Sequence, residues 1–223
     1  MPVNYGPSII TNGLVLHFDA ANIKSYPGTG VSILDLSGNN NTGTLVNGAV
    51  FNSNNILFDG VNDYISIPDS NSISLEGDLT LSIWINLSNI SGYNALISKN
   101  NDLIAAPYEF YLLDGVPTLL RGNGTLSANF AATPQMVSIN TWTNLSVTMI
   151  STTVNHYLNG ILNGSGTLST TITDINSPLY IGARGNNSYY CTGKISQIRI
   201  YNRALSQSEI QQNFNASRSR YGV

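Results

Sequence analysis

The chain has 223 residues, 42% of them hydrophobic, and this length and composition fit one domain with a sizeable core. Only 9% of the residues are charged and the formal net charge is −3, which excludes the highly charged, disordered class of protein. The nine basic residues are scattered from Lys24 to Arg220 and form no run that could neutralise a row of phosphates, so nucleic acid is excluded as the expected ligand.

Small and amide-bearing residues dominate the composition, with 30 Asn, 26 Ser, 18 Thr and 20 Gly. These residues favour turns, caps and strand edges over helix interiors, so the composition indicates an all-β protein. Cys191 is the only cysteine, and the fold therefore needs no internal disulfide. The first ten residues lack the pattern of an export signal and no run of 18 apolar residues follows, so we expect neither an ordinary signal peptide nor a membrane-spanning helix.

Alternation of apolar and polar residues predicts most of the strands. It is clearest over residues 79–87, where leucine and isoleucine occupy every odd position and polar residues or Trp84 the even ones. Similar patterns predict strands over residues 14–19, 63–67, 108–113, 142–149, 154–158, 179–184 and 194–201. The pairs Asp114-Gly115 and Asn159-Gly160 are typical of two-residue type I′ turns, which predicts two antiparallel hairpins.

The remaining segments predict a loop-rich N-terminal third and a single helix. Residues 22–55 contain several glycine and asparagine turn clusters, whereas residues 205–214 combine a Ser206 cap with Glu209 three positions later. We expect an N-terminal arm over residues 1–12, one domain over 13–216 and a C-terminal tail over 217–223. Because the tail is polar and carries Arg218 and Arg220, we expect it to be exposed to solvent.

The order of short segments along residues 13–214 resembles the laminin-G-like jelly rolls of the concanavalin A-like lectin/glucanase superfamily. The segments that carry the resemblance are Gly13-Leu-Val-Leu-His-Phe-Asp19, Asp35-Leu-Ser-Gly-Asn39, Phe58-Asp-Gly-Val-Asn-Asp-Tyr64, Leu79-Thr-Leu-Ser-Ile-Trp84, Trp142-Thr-Asn-Leu-Ser146, Tyr157-Leu-Asn-Gly160, Ile181-Gly182 and Ile198-Arg-Ile-Tyr-Asn-Arg-Ala-Leu-Ser206 with Glu209-Ile210. The resemblance implies an all-β fold, an antiparallel two-sheet jelly-roll sandwich with one short C-terminal helix. The sequence departs from the family at Gln197, where an acidic residue is common.

A second resemblance concerns the opening of the chain. Residues 6–16 and 20–28 look like the corresponding segments of virion proteins of tailed phages, notably marine ones. This resemblance implies a virion location, with other virion proteins as partners and cell-surface glycans as further ligands. The predicted function is a non-enzymatic virion surface protein that decorates the capsid, neck or tail. The alternatives are a free carbohydrate-binding lectin and a glycoside hydrolase.

The hydrolase alternative requires two carboxylates across a cleft. There are only three glutamates, and the nearest approach to the required spacing, Glu76-Gly-Asp78, continues with Thr80 instead of a third acid. His17 and His156 lie inside predicted strands without a nucleophile elbow. We therefore predict that the chain is not an enzyme.

Two candidate binding sites emerge. Asp59, Asn62 and Asp63 place three side-chain oxygens within five residues and are a candidate calcium site, although an ordinary Asx-type turn explains the same residues and is the interpretation we favour. Trp84, Trp142, Arg199 and Tyr201 fall on the polar faces of their strands and are candidate saccharide ligands on a concave sheet. The alternative is that loops cover this face and the tryptophans serve packing.

Overall fold

Two antiparallel β-sheets of eight strands each make up the described part of the chain. The computed structural model describes residues 7–100, 106–122, 127–131, 136–168, 172–185 and 188–223. Its strands are, in chain order, β1 (Leu14–Asp19), β2 (Ser32–Ile33), β3 (Gly43–Val46), β4 (Val50–Asn52), β5 (Asn55–Asp59), β6 (Tyr64–Ile67), β7 (Leu79–Asn89), β8 (Tyr93–Lys99), β9 (Tyr108–Leu113), β10 (Val116–Gly122), β11 (Ser127–Ala131), β12 (Thr143–Ile150), β13 (Thr153–Leu158), β14 (Ile161–Thr167), β15 (Leu179–Ile181) and β16 (Thr192–Tyr201).

The first sheet has the order β14-β13-β12-β7-β16-β5-β4, with β1 also paired to β16. The second sheet has the order β11-β10-β9-β8-β15-β6-β3-β2. The all-β sandwich prediction is confirmed. Both predicted hairpins form, because Asp114, Gly115, Asn159 and Gly160 all adopt the positive φ angles that a type I′ turn requires.

The core lies between the two sheets. The odd-numbered apolar residues of β7, from Leu79 to Leu87, are fully buried there, as their alternation predicted. Tyr108, Phe110 and Leu112 of β9 enter the same core from the second sheet. The predicted strand over residues 179–184 ends at Ile181, because Gly182 adopts a φ of 84° and turns the chain out of the sheet.

The helix α1 (Gln207–Asn215) lies where the sequence predicted it and begins with a complete capping box. The backbone N–H of Glu209 donates to the Ser206 hydroxyl, and the Glu209 carboxylate accepts from the Ser206 N–H. Within the described residues, no helix is long and apolar enough to span a bilayer.

Both chain ends pack against the outer face of the first sheet. Ile9 and Ile10 contact the cluster formed by Leu14, Tyr157, Tyr201, Leu205 and Ile210. The 3-10 turn Arg218–Tyr221 buries Tyr221, and Arg220 forms an ion pair with Asp19. The prediction of a solvated tail over residues 217–223 is therefore wrong, because its aromatic residue and one of its arginines have partners on the sheet.

Candidate functional site

The structure buries Trp84 under the C-terminal segment. The indole is fully buried, with the ring centroids of Tyr221 and Phe214 at 3.9 and 5.7 Å, and its Nε1 donates to the Ser217 hydroxyl at 3.0 Å. No face of the ring remains for a saccharide, so the interpretation of Trp84 as a ligand residue is wrong and the packing alternative holds. Trp142 is partly exposed and packs its ring 4.9 Å from Tyr221.

Arg199 and Tyr201 belong to the same covered face. Arg199 is 2% exposed, and its guanidinium donates to the Gln197 side-chain oxygen at 2.8 Å. Gln197 in turn donates to Asp19 at 2.6 Å. The Gln197 amide therefore bridges the Asp19 carboxylate and the Arg199 guanidinium. Burial lowers the pKa of Arg199.

Tyr201 is fully buried and its hydroxyl donates to the carbonyl of Ile10 at 3.0 Å. The prediction that Arg199 and Tyr201 contact a ligand is therefore wrong as well, because both side chains are buried and Tyr201 bonds the N-terminal segment.

The candidate calcium loop is closed by its own backbone. One carboxylate oxygen of Asp59 accepts from the N–H groups of Val61 and Asn62 at 2.8 and 3.3 Å, and Asp63 accepts from the Asp59 N–H at 3.0 Å. The Val61 N–H helps to lower the pKa of Asp59, whereas burial raises the pKa of Asp63. This is the geometry of an Asx turn, and among the described residues no group of three or more His, Cys, Asp or Glu side chains is arranged to hold a metal.

Because one carboxylate oxygen of each aspartate already accepts from backbone N–H groups of the turn, we expect EDTA to leave the melting temperature unchanged. A calcium site filled at about a hundred times its Kd would contribute roughly 2.7 kcal/mol, and its loss would lower Tm by about 5–10 °C. Differential scanning calorimetry with and without chelator measures the difference. A fall of that size that disappears in the double variant Asp59→Ala, Asp63→Ala would contradict the prediction.

The three glutamates all have structural partners. Glu76 accepts from the Asp174 N–H at 2.7 Å, Glu109 binds Arg184, and Glu209 caps α1 and binds Arg203. Asp78, the second member of the pair considered for hydrolysis, accepts from the Ser151 N–H at 2.7 Å. Each of these four acids is thus held by its own partner within the protein.

A cluster of tyrosines lies on the outer face of the second sheet. We call Tyr64, Tyr93, Tyr180, Tyr189 and Tyr190 the tyrosine surface. Tyr180 pairs across the sheet with Ser66 and Ser98, and all five tyrosines are at least partly exposed. The ring of Tyr64 is 5.7 Å from Tyr180 and 6.5 Å from Tyr190, and the ring of Tyr93 is 4.5 Å from Tyr189. Aromatic rings with one accessible face and a hydroxyl at the tip suit a ligand with both apolar and polar surface.

The loop that follows β15 brings Tyr189 and Tyr190 over the sheet. Tyr189 has a φ of 57° and accepts a hydrogen bond from the Ala95 N–H at 3.0 Å, while the Cys191 N–H donates to the Gly182 carbonyl at 2.9 Å. The loop is therefore fastened to β8 at one point and closed on itself at another. Cys191 is buried.

A buried ion pair fixes the same loop to the sheet. The Arg184 Nε lies 3.0 and 3.1 Å from the two Glu109 oxygens, and a terminal nitrogen lies 2.8 Å from one of them. The guanidinium carbon lies 4.5 Å from the Tyr93 ring centre and 4.9 Å from that of Tyr189. Burial alone would lower the pKa of Arg184, but its hydrogen bond and charge interaction with Glu109 outweigh burial and raise it.

Sequence reasoning missed this surface. No pattern in the sequence singles out Tyr189 or Tyr190, and Arg184 lies at the end of the predicted strand over residues 179–184. One signal was present, because Tyr64 and Tyr180 occupy the positions of their strands that alternate with buried isoleucine or leucine. That alternation does not show which of the two sheets has an open outer face.

A family model described as the concanavalin A-like lectin/glucanases superfamily, Laminin_G_3, matches residues 59–211. This match covers more than half of the chain. The chain belongs to this superfamily. No curated protein sequence is similar enough to be matched.

Solved structures with the same fold include a domain of an arabinanase and the binding domains of several toxins. Domain 4 of AbnA, a GH43 extracellular arabinanase from Geobacillus stearothermophilus in complex with arabinotriose, has a TM-score of 0.71 at 19% identity over 91% of this chain and 98% of that one. The binding domain of Paraclostridial Mosquitocidal Protein 1 has a TM-score of 0.69 at 22% identity, covering 92% of this chain and 52% of that one.

The binding domain of botulinum neurotoxin DC in complex with SialylT has a TM-score of 0.70 at 15% identity, covering 92% of this chain and 52% of that one. The superfamily member described here thus spans about half the length of these toxin chains. At such identities the likeness shows the fold alone. The two toxin neighbours are described as binding domains.

Proposed function

We propose that this protein is a non-enzymatic, lectin-like module that binds a saccharide on the tyrosine surface. The observation that carries the proposal is the cluster of five partly exposed tyrosines on the outer face of the second sheet. The corresponding face of the first sheet is occupied by the chain's own termini. A sugar ring offers C–H groups to an aromatic face and hydroxyls to the surrounding donors and acceptors, which is the chemistry that these tyrosines provide.

Rigidity supports this proposal. The Arg184–Glu109 pair holds the loop against β9, and the stacking of Tyr93 on Tyr111 at 4.0 Å fixes a second ring. A ligand that binds prearranged rings loses less free energy to ordering the protein. The complex of an arabinanase domain of this fold with arabinotriose supports saccharide as the ligand class.

We expect Tyr64→Ala, Tyr180→Ala and Tyr190→Ala each to weaken saccharide binding by about fivefold, because each removes a stacking face worth roughly 1 kcal/mol. A glycan array identifies the bound saccharide and isothermal titration calorimetry measures its Kd. Trp142→Ala is the control, since Trp142 is a partly exposed aromatic residue that packs on the first sheet. Loss of binding in Trp142→Ala but not in the tyrosine variants would refute the site, and an array without any bound glycan would refute the function.

We further propose that the module is carried on a phage virion and docks there to other virion proteins. The low exposed charge favours contacts made by hydrogen bonds and apolar groups. Of the nine basic residues, Lys99, Arg121, Arg184 and Arg199 are buried, and Arg203 and Arg220 are ion-paired. The resemblance of residues 6–28 to virion proteins supports the location.

Particles should therefore retain the chain when ionic strength is raised from about 0.1 M to about 1 M, because few fixed charges are available to be screened. Mass spectrometry of particles purified at both salt concentrations measures the retained fraction. Absence of the chain from the particles, or its steep loss with salt, would favour the free lectin.

A further inference from the structure

The tyrosine surface contains a cation whose charge is already neutralised. The side chains of Arg184 and Glu109 are 3% and 0% exposed, and Asn100 donates a further hydrogen bond to Glu109 at 2.8 Å. The rings of Tyr93 and Tyr189 both lie within 5 Å of the guanidinium carbon. The guanidinium is thus enclosed by one carboxylate and two aromatic faces. Its positive charge is neutralised by Glu109 within the protein.

None of the other basic residues replaces Arg184 as a free cation on the tyrosine surface. Lys99 of the neighbouring strand β8 is fully buried and bonded to Asp69 and to the Ser177 carbonyl. Arg121 of β10 is also fully buried and donates to backbone carbonyls. Three basic residues have no described side-chain contact to a carboxylate or carbonyl group, namely Lys24, Lys194 and Arg218. Lys24 lies in the loop after β1, Lys194 in β16 and Arg218 in the C-terminal 3-10 turn.

We infer that the tyrosine surface selects neutral saccharides and discriminates against those that carry a carboxylate, sulfate or phosphate. This inference rests on the proposed function. An anionic group placed on this surface would lose hydration without gaining a free cation. A neutral saccharide meets ring faces and hydroxyl groups only.

The first experiment compares matched saccharides on the unmodified protein. Each neutral oligosaccharide on the panel is paired with the same oligosaccharide carrying one sialic acid, uronic acid or sulfate. We expect the neutral member to bind about tenfold or more tightly, with a Kd that changes by less than about twofold between roughly 0.05 and 0.5 M salt. Tighter binding of the acidic members that weakens with salt would overturn the inference and leave the proposed function standing. Binding of no member would overturn the proposed function itself.

The second experiment releases the charge of Arg184. Glu109→Gln removes the carboxylate but keeps its shape, and we expect it to shift the ratio of acidic to neutral affinity by about tenfold towards the acidic member, with a new dependence on salt. Glu209→Gln is the matched control, because it frees Arg203 from a carboxylate outside the tyrosine surface and should leave the ratio unchanged. An unchanged ratio in folded Glu109→Gln would overturn the assignment of selectivity to the neutralised arginine. If Glu109→Gln does not fold, the matched panel on the unmodified protein decides the inference.

Discussion

Deleting residues 217–223 should lower the free energy of unfolding by about 3–5 kcal/mol, the range found when a large buried aromatic side chain is removed. The Tyr221 ring stacks on Trp84 at 3.9 Å and its hydroxyl donates to Ser196 at 2.9 Å. The deletion also removes Arg220 from Asp19, which is only 7% exposed at its side chain. The Trp84 ring would then meet water, and the Asp19 carboxylate would lose its ion-pair partner.

Urea unfolding followed by tryptophan fluorescence measures this effect, and the emission of the folded deletion variant should shift to longer wavelength as Trp84 becomes hydrated. Removal of Val223 alone is the control, because this residue is 39% exposed and should change stability by less than about 0.5 kcal/mol. Tyr221→Phe separates the ring from the hydroxyl and should cost about 1 kcal/mol. A deletion variant with unchanged stability would show that residues 217–223 contribute nothing to the sheet.

The strands were predictable because one face of each sheet packs into the core and so imposes a period of two. The buried odd positions of β7, the two type I′ turns and the Ser206 cap all follow from local patterns and were located correctly. The strands β2, β3 and β4 were not predicted, since all three lie within residues 22–55, where the glycine and asparagine clusters predicted loops.

The binding site was much less predictable, because a polar residue in a strand is expected to be exposed to solvent. Thr80, Ser82, Asn144 and Ser146 are polar, yet all are buried beneath the chain termini. Ser146 donates to Ser82 at 2.8 Å and Thr80 donates to the Arg203 carbonyl at 2.8 Å, so these groups are satisfied without water. Whether a polar sheet face is open or covered depends on where distant segments pack, and no local pattern in the sequence reports it.

Arg184→Ala should destabilise the protein by about 3–5 kcal/mol, the cost of leaving one partner of a buried ion pair uncompensated. Glu109 is fully buried and accepts three contacts from the guanidinium, so the loss of Arg184 would leave its carboxylate without a cation. Loss of the arginine also frees the loop that carries Tyr189, and binding on the tyrosine surface should weaken together with stability.

A double-mutant cycle separates the pair from its surroundings. Glu109→Leu combined with Arg184→Met should recover most of the lost stability, because apolar side chains of similar volume replace a buried pair at little net cost. Arg203→Ala is the control. Its ion pair with Glu209 has side chains 29% and 27% exposed, so its loss should cost no more than about 1 kcal/mol. Equal losses in Arg184→Ala and Arg203→Ala would contradict the argument, since burial of Glu109 is what makes the first pair costly to break.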